Sequence, residues 1–447
     1  MISKRILSAL FIGGLLAVAA PSASAEPTTF VTTGPVFNDP KDPEGIKQRA
    51  ILGHVGRLIG GATSGSTIRI SLYAFGSDWI ANLLADAHRR NVNVQVLVDH
   101  TSIETDGWMG KSGESVKNKL DAAFAEVPPA GTTYGTSWFR VCAENQPCLA
   151  KSTVGVNHNK FFLFSRTTGS GSPENGVPVD NVVVQSSGNL TLSDLTVLWN
   201  DAMTVAGNEA LHTGYTGYFD RMAASQARTD GSLRTTNLSI DAVAGPAKAY
   251  FFPRASTDVI FNILSTVDNP VNDTEAVCHG NTPGHGTSDG RTVIRIANGH
   301  ISRPAVAKKL WELADAGCYI DIVYGKLSDY EALGEHRETA YWLTRSTKLG
   351  KISLHRLNNG KLKDPTTGQL SGTTSHTKYM LIEGSYKGLK DQKIVFTGSH
   401  TFTGLALTEN DEALLKYESK EVHDVYLTNF RAQRAASVAE AQYGGVQ

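Results

Sequence analysis

Residues 67–98, TIRISLYAFGSDWIANLLADAHRRNVNVQVLV, decide the fold once they are set beside residues 293–324, VIRIANGHISRPAVAKKLWELADAGCYIDIVY. Each stretch opens on a short alternating run, Thr67-Ile68-Arg69-Ile70 and Val293-Ile294-Arg295-Ile296, that reads as a strand. A segment with apolar residues at helical spacing follows in each copy, over 80–90 and 306–316; Ile80, Leu83, Leu84 and Ala87 illustrate it. Asn91 and Gly317 then stand where a left-handed cap ends a helix. A second strand comes next, with Val92, Val94, Val96 and Val98 against Cys318, Ile320 and Ile322. Ile68 matches Ile294, Asn91 matches Gly317 and Val96 matches Ile322 without a gap. Strand, helix and strand with a short stop predict a βαβ unit, hence parallel strands with helices on the sheet faces. The ungapped match predicts a duplicated α/β chain.

Each copy continues into a reactive triplet. The first is His158-Asn159-Lys160, followed by the apolar run 161–164; the second is His376-Thr377-Lys378, followed by 379–382. Residues two apart on a strand share a face, so His158 lies with Lys160 and His376 with Lys378. A second strand-like run follows each triplet and ends in small polar residues, Ser186-Ser187-Gly188-Asn189 and Gly398-Ser399-His400-Thr401. Phosphodiesters are anionic and resist water. Cleaving one takes a strong nucleophile, a proton donor for the leaving oxygen and fixed positive charge on the nonbridging oxygens. Two histidines and two lysines supply all three without a metal or cofactor.

These residues resemble the phospholipase D superfamily, whose pattern is His-x-Lys-x(4)-Asp followed by Gly-Ser-x-Asn, in two copies. Both histidines and both lysines are intact. The aspartate position falls on Ser165 and Glu383, each an odd number of residues past its histidine and so facing away from it in a regular strand. The resemblance implies two repeat-related α/β/α sandwich halves forming one pseudo-twofold fold. It implies a phosphohistidine intermediate, with His158 as nucleophile and His376 as general acid and base. Lys160 and Lys378 would bind phosphate oxygens. Ser187, Asn189, Ser399 and Thr401 would add hydrogen bonds. A nucleophilic histidine needs its other ring nitrogen held by an acceptor. Asp201 and Asp411, in the dipeptides Asn200-Asp201 and Asn410-Asp411, are the candidates, with Glu412 a close competitor.

The N-terminus reads as a secretory leader. Lys4 and Arg5 precede an apolar stretch over 6–20, and Ala23-Ser24-Ala25 offers a cleavage site after Ala25. The stretch is short for a membrane span. The expected organisation is a leader at 1–25, a first half at 26–222, a linker at 223–246 rich in Ala, Ser, Thr and Gly, and a second half at 247–447. Four cysteines are an even number, as an oxidising compartment favours. Cys142 and Cys148 flank a short Pro-containing loop and are expected to pair, leaving Cys278 with Cys318, one of three connectivities that four cysteines permit. No Cys-x-x-Cys spacing supports zinc. Residues 167–178 and 279–290 read as polar loops, the latter despite His279 and His285.

The formal net charge is −1, and the leader carries two of the positive charges, so the remainder is mildly acidic. A dedicated nucleic-acid surface usually shows a basic excess. Charge and export therefore favour a phospholipid substrate at a membrane surface over nucleic acid. A metal-independent nuclease and a noncatalytic lipid-binding protein are the other readings. A monomer is expected, because the duplication supplies both half-sites. The segment 105–109 ends in Trp108-Met109, which either meets a membrane as an apolar tip or packs inside.

Overall fold

The computed structural model describes residues 28–228, 230–238, 241–267, 278–327, 336–358 and 373–439. The leader expected at 1–25 lies outside the described residues. The first sheet has seven strands in the spatial order Gly34–Phe37, Asp201–Val205, Val179–Ser186, Lys160–Thr167, Thr67–Leu72, Asn93–Val98 and Trp138–Val141. The second repeats that series with Ala247–Phe252, Glu412–Glu418, Leu389–Gly398, Lys378–Tyr386, Val293–Ile301, Tyr319–Leu327 and Lys351–Arg356. It adds the short edge strands Asp241–Ala244 and Val438–Ala439. The βαβ strands pair in parallel, Ile68 beside Val94 and Ile294 beside Ile320. The strands that carry the two lysines run antiparallel to them.

The local reasons match in the two halves. Helix Asp78–Arg89 starts at Ser77, whose side chain accepts the Ile80 N–H, and Pro304 begins helix Pro304–Asp315, where its missing N–H costs nothing. The stops are Asn91 at φ 65° and Gly317 at φ 121°, both in the left-handed region the sequence called for. The two disulfides are Cys142–Cys148 and Cys278–Cys318.

Three apolar cores result. One lies on the outer face of each sheet, and the third lies between the sheets. Helices Glu209–Gln226 and Lys420–Ala436 fill the middle, each touching both sheets. Tyr215, Tyr218, Phe219, Tyr426 and Phe430 are their largest contributions and are almost fully buried. At about 25 cal/mol per Å² of apolar surface, rings of this size hold the halves together firmly. The linker expected at 223–246 is narrower than that. The helix runs on to Gln226 because Met222 and Ala223 still face the central core, and Asp241–Ala244 already pairs with the next strand.

The halves also join by backbone pairing beside the reactive triplets. Leu198–Trp199 pairs in parallel with Thr374–Ser375, and Asn157 bridges to Asp411. Each half thus lends a backbone segment to the other half's histidine. Among the described residues no helix is long and apolar enough to cross a membrane.

Candidate active site

His158 and His376 sit just before their strands, at the seam. The His158 N–H donates to the Asp411 carbonyl at 2.9 Å, and the His376 N–H donates to the Trp199 carbonyl at 3.0 Å. The rings follow the same crosswise rule. His158 Nδ1 lies 2.9 Å from Glu412 Oε1, and His376 Nδ1 lies 2.8 Å from Asn200 Oδ1, with Asp194 Oδ1 at 3.6 Å. An amide oxygen only accepts, so His376 donates through Nδ1 and leaves Nε2 with its lone pair. Lys160 Nζ donates to the His158 carbonyl at 2.8 Å; Lys378 Nζ donates to the His376 carbonyl at 2.5 Å and lies 3.3 Å from the Ser187 carbonyl. Both lysines are buried.

The electrostatics place these groups in one space. Burial, then Lys160 and Lys378, pushes His158 well below the ordinary histidine value. Burial, then Lys378, Lys160 and His158, does the same to His376. Burial lowers Lys160 to about 8, against the pull of Glu412, and lowers Lys378 further, with Lys160 adding to it. Burial raises the Glu412 carboxyl far above the usual carboxylate range. Two buried ammonium groups side by side are costly without an anion between them. A phosphate seated there would hold both lysines charged.

The family described as "Cardiolipin synthase, PLD-like domain" matches the chain at residues 56–223 and 289–434. The chain belongs to the phospholipase D superfamily. Members of this superfamily are phosphodiesterase-type enzymes. No curated protein sequence matches the chain. Among solved structures, phosphatidylserine synthase from Haemophilus influenzae Rd KW20 superposes with a TM-score of 0.55 at 12% identity, over 89% of this chain and 86% of that one. Polyphosphate kinase from Porphyromonas gingivalis gives 0.49 at 10% identity, over 90% of this chain and 50% of that one, so this chain spans about half its length. Nuc from Salmonella typhimurium gives 0.28 at 15% identity, over 43% of this chain and 97% of that one. At 12% identity the likeness to the synthase is one of fold.

Within this phospholipase D fold two site assignments need correction. Neither Asp201 nor Asp411 holds a histidine. Asp411 accepts the N–H groups of Leu149 and Ala150 at 2.9 and 2.7 Å. Asp201 accepts from the hydroxyls of Tyr426, at 2.8 Å, and Thr397. Both carboxylates brace contacts between the halves. The error is one of register. Ser187 N–H donates to the Asp201 carbonyl and Ser399 N–H to the Ala413 carbonyl, so Asn200 is the repeat partner of Glu412. Matching the two Asn-Asp dipeptides slips this register by two residues. Counting from Ser187 to Asn200 and from Ser399 to Glu412 gives equal spacing and is the signal that finds it.

Ser187 and Ser399 act as clips. Ser187 Oγ accepts the Asp201 N–H at 2.9 Å, and Ser399 Oγ accepts the Ala413 N–H at 3.1 Å. Asn189 gives its N–H to Asp194 at 3.0 Å, and its buried Oδ1 has no partner among the described residues. Thr401 Oγ1 sits 3.1 Å from Thr403 Oγ1. Ser165 accepts the Thr67 N–H at 2.8 Å, and Glu383 pairs with Arg295 at 2.8 Å, so both odd-spaced positions serve the sheet and not the site.

Two further groups escaped the sequence reading. The Tyr73 ring lies 5.3 Å from that of His158, with Trp108 stacked on it at 6.1 Å. His400 is buried against Phe252 at 4.0 Å and sits 3.4 Å from Arg303. The tip at 105–109 divides: Trp108 is 55% exposed while Met109 is buried.

The Asp411 assignment has a direct consequence. Asp411→Ala leaves two buried N–H groups without their acceptor and is expected to cost about 3 kcal/mol. A fall in Tm, with the pH dependence of the surviving activity unchanged, is the expected outcome. A displaced pH profile would return Asp411 to the catalytic group.

Proposed function

We propose that the chain is an exported, metal-independent phospholipase D acting on glycerophospholipids. The observation that carries this reading is the crossed pairing His158–Glu412 and His376–Asn200 above two buried lysines. His158 Nε2 attacks phosphorus as the bond to the headgroup oxygen breaks. The anionic substrate offsets the lysine charge, which lets His376 hold a proton and give it to the departing oxygen. His376 Nε2 then takes a proton from water, and the hydroxide displaces His158, yielding phosphatidic acid and free headgroup alcohol. An alcohol in place of that water gives transphosphatidylation.

The role assignment follows from the partners. The Glu412 carboxylate can balance the cationic ring of a phosphohistidine. The direct partner of His376 is the neutral Asn200 oxygen, and the Asp194 carboxylate stands back at 3.6 Å, so a protonated His376 is held less firmly than one paired at contact distance and gives its proton more readily. The leader at 1–25, cut after Ala25, and the mildly acidic chain favour lipid over nucleic acid. Trp108, exposed beside the site, suits an interface. Both half-sites come from one chain, so a monomer suffices.

The test is release of choline and phosphatidic acid from phosphatidylcholine vesicles by the exported form, with EDTA present. Release that EDTA leaves intact is expected. Silence on vesicles with salt-sensitive cleavage of single-stranded DNA would replace this reading with a nuclease, and silence on both would point to a noncatalytic binding protein.

A further inference from the structure

The two half-sites differ at one matched position. Tyr73 N–H donates to the Asn159 carbonyl at 3.1 Å, and Gly299 N–H donates to the Thr377 carbonyl at 2.9 Å. The preceding residues agree, since Leu72 lies opposite Lys160 and Asn298 opposite Lys378. Gly299 therefore occupies in the second half the place that Tyr73 occupies in the first. The Tyr73 side chain packs beside the His158 ring and has Trp108 stacked on it. A Cβ on Gly299 would point at its own histidine, meeting Ser375 O at 3.2 Å, His376 Cα at 3.4 Å and His376 Cδ2 at 3.8 Å. The φ of Gly299 is not in the left-handed region, so its torsion angle does not demand glycine; the Ser375 carbonyl makes a Cβ there a tight fit that a small shift must relieve. The side chain of His376 is accordingly more exposed than that of His158, 25% against 17%.

We infer that Gly299 makes the His376 side the headgroup side of the site, with Tyr73 and Trp108 closing the His158 side and facing the retained phosphatidyl arm. This rests on the proposed phosphodiesterase reading. In an in-line displacement the nucleophile and the leaving oxygen lie on opposite sides of phosphorus. Beside His158 that line needs room only for Nε2, so an aromatic wall fits there. Beside His376 it must hold the whole leaving alcohol, and later the water or alcohol that replaces it. A side chain at 299 would fill that space. Absence of one there sets how large a headgroup the enzyme accepts.

The experiment compares kcat/KM for phosphatidylcholine with that for phosphatidylmethanol, which differ only in the leaving alcohol. In Gly299→Leu the choline-to-methanol ratio is expected to fall by about tenfold or more. Gly299→Ala should shift the ratio the same way by less, and it reads the effect if the leucine variant does not fold. Tyr73→Ala should slow both substrates alike and leave the ratio where it was. A ratio that moves with Tyr73→Ala and stays fixed in the Gly299 variants overturns the inference. A wild type that turns over neither lipid sinks the glycerophospholipid reading instead. The variants are then compared on bis(4-nitrophenyl) phosphate and methyl 4-nitrophenyl phosphate, which share a leaving group and differ in the retained arm. There Tyr73→Ala should move the ratio and Gly299→Ala should not; the reverse overturns the inference on its own.

Discussion

Turnover in His158→Ala is expected to fall by about 10⁴-fold or more, because the group that forms the bond to phosphorus in the proposed scheme is gone. What survives is the charge of Lys160 and Lys378 and the positioning they provide. The loss should appear in kcat, with phosphate binding retained. The fold should survive as well: the backbone bond from residue 158 to the Asp411 carbonyl does not need the ring. The buried Glu412 carboxyl loses its ring partner but keeps the Asn410 side-chain N–H at 3.1 Å, and burial already favours its neutral form. His376→Ala should cost nearly as much, and the double variant little more, since the two rings act as one unit. An additive double variant, or a His158→Ala enzyme within tenfold of wild type, contradicts the scheme.

The second large effect belongs to Glu412→Gln, a change of one atom. We expect kcat to drop by about 10²–10³-fold, equivalent to about 3–4 kcal/mol. Glutamine can still accept from Nδ1 but cannot balance a cationic phosphohistidine. The pH profile should change as well, and its sign follows from the directions above. Burial raises the Glu412 carboxyl, so at low pH the pair keeps a proton that Glu412 would donate to Nδ1, leaving Nε2 protonated and unable to attack. Activity therefore rises with pH as that proton is lost, above the usual carboxylate range. In Glu412→Gln this limb should move to lower pH, because burial and the two lysines already hold His158 neutral. The falling limb should remain in both enzymes, since it reports the lysines, with Lys160 near 8 when substrate is absent. Measured profiles of kcat/KM for the two enzymes decide this; an unmoved rising limb would remove Glu412 from the role.

Much of this architecture was legible in the chain. The ungapped match from Ile68 to Val96 against Ile294 to Ile322 fixed the βαβ units, and the left-handed stops at Asn91 and Gly317 are where the pattern placed them. Those features are local: periodicity, a cap and a repeat carry them. That the His-x-Lys triplets lead into repeat-related strands was legible for the same reason, although only the lysines lie on those strands and each histidine sits just before its own. What failed was non-local. Asp411 and Glu412 are neighbours in sequence, yet alternation on the strand sends one to the backbone of Leu149 and Ala150 and the other to His158. That each histidine takes its partner from the opposite half is a property of the seam between sheets, and no periodicity within one half encodes it. Tyr73 was invisible as a site residue because one aromatic at a strand end reads like any core residue. Only its match to Gly299 makes it informative.

The most direct test of the account is to trap the covalent intermediate. The His376→Asn enzyme, given a phosphatidyl ester of 4-nitrophenol, whose departing oxygen needs no proton from residue 376, and then quenched, should carry a phosphatidyl adduct, acid-labile and base-stable, on the peptide containing His158, and the His158→Asn enzyme should carry none. An adduct on His376 in the His158→Asn enzyme, or turnover by the wild type with no adduct on either histidine, would contradict it.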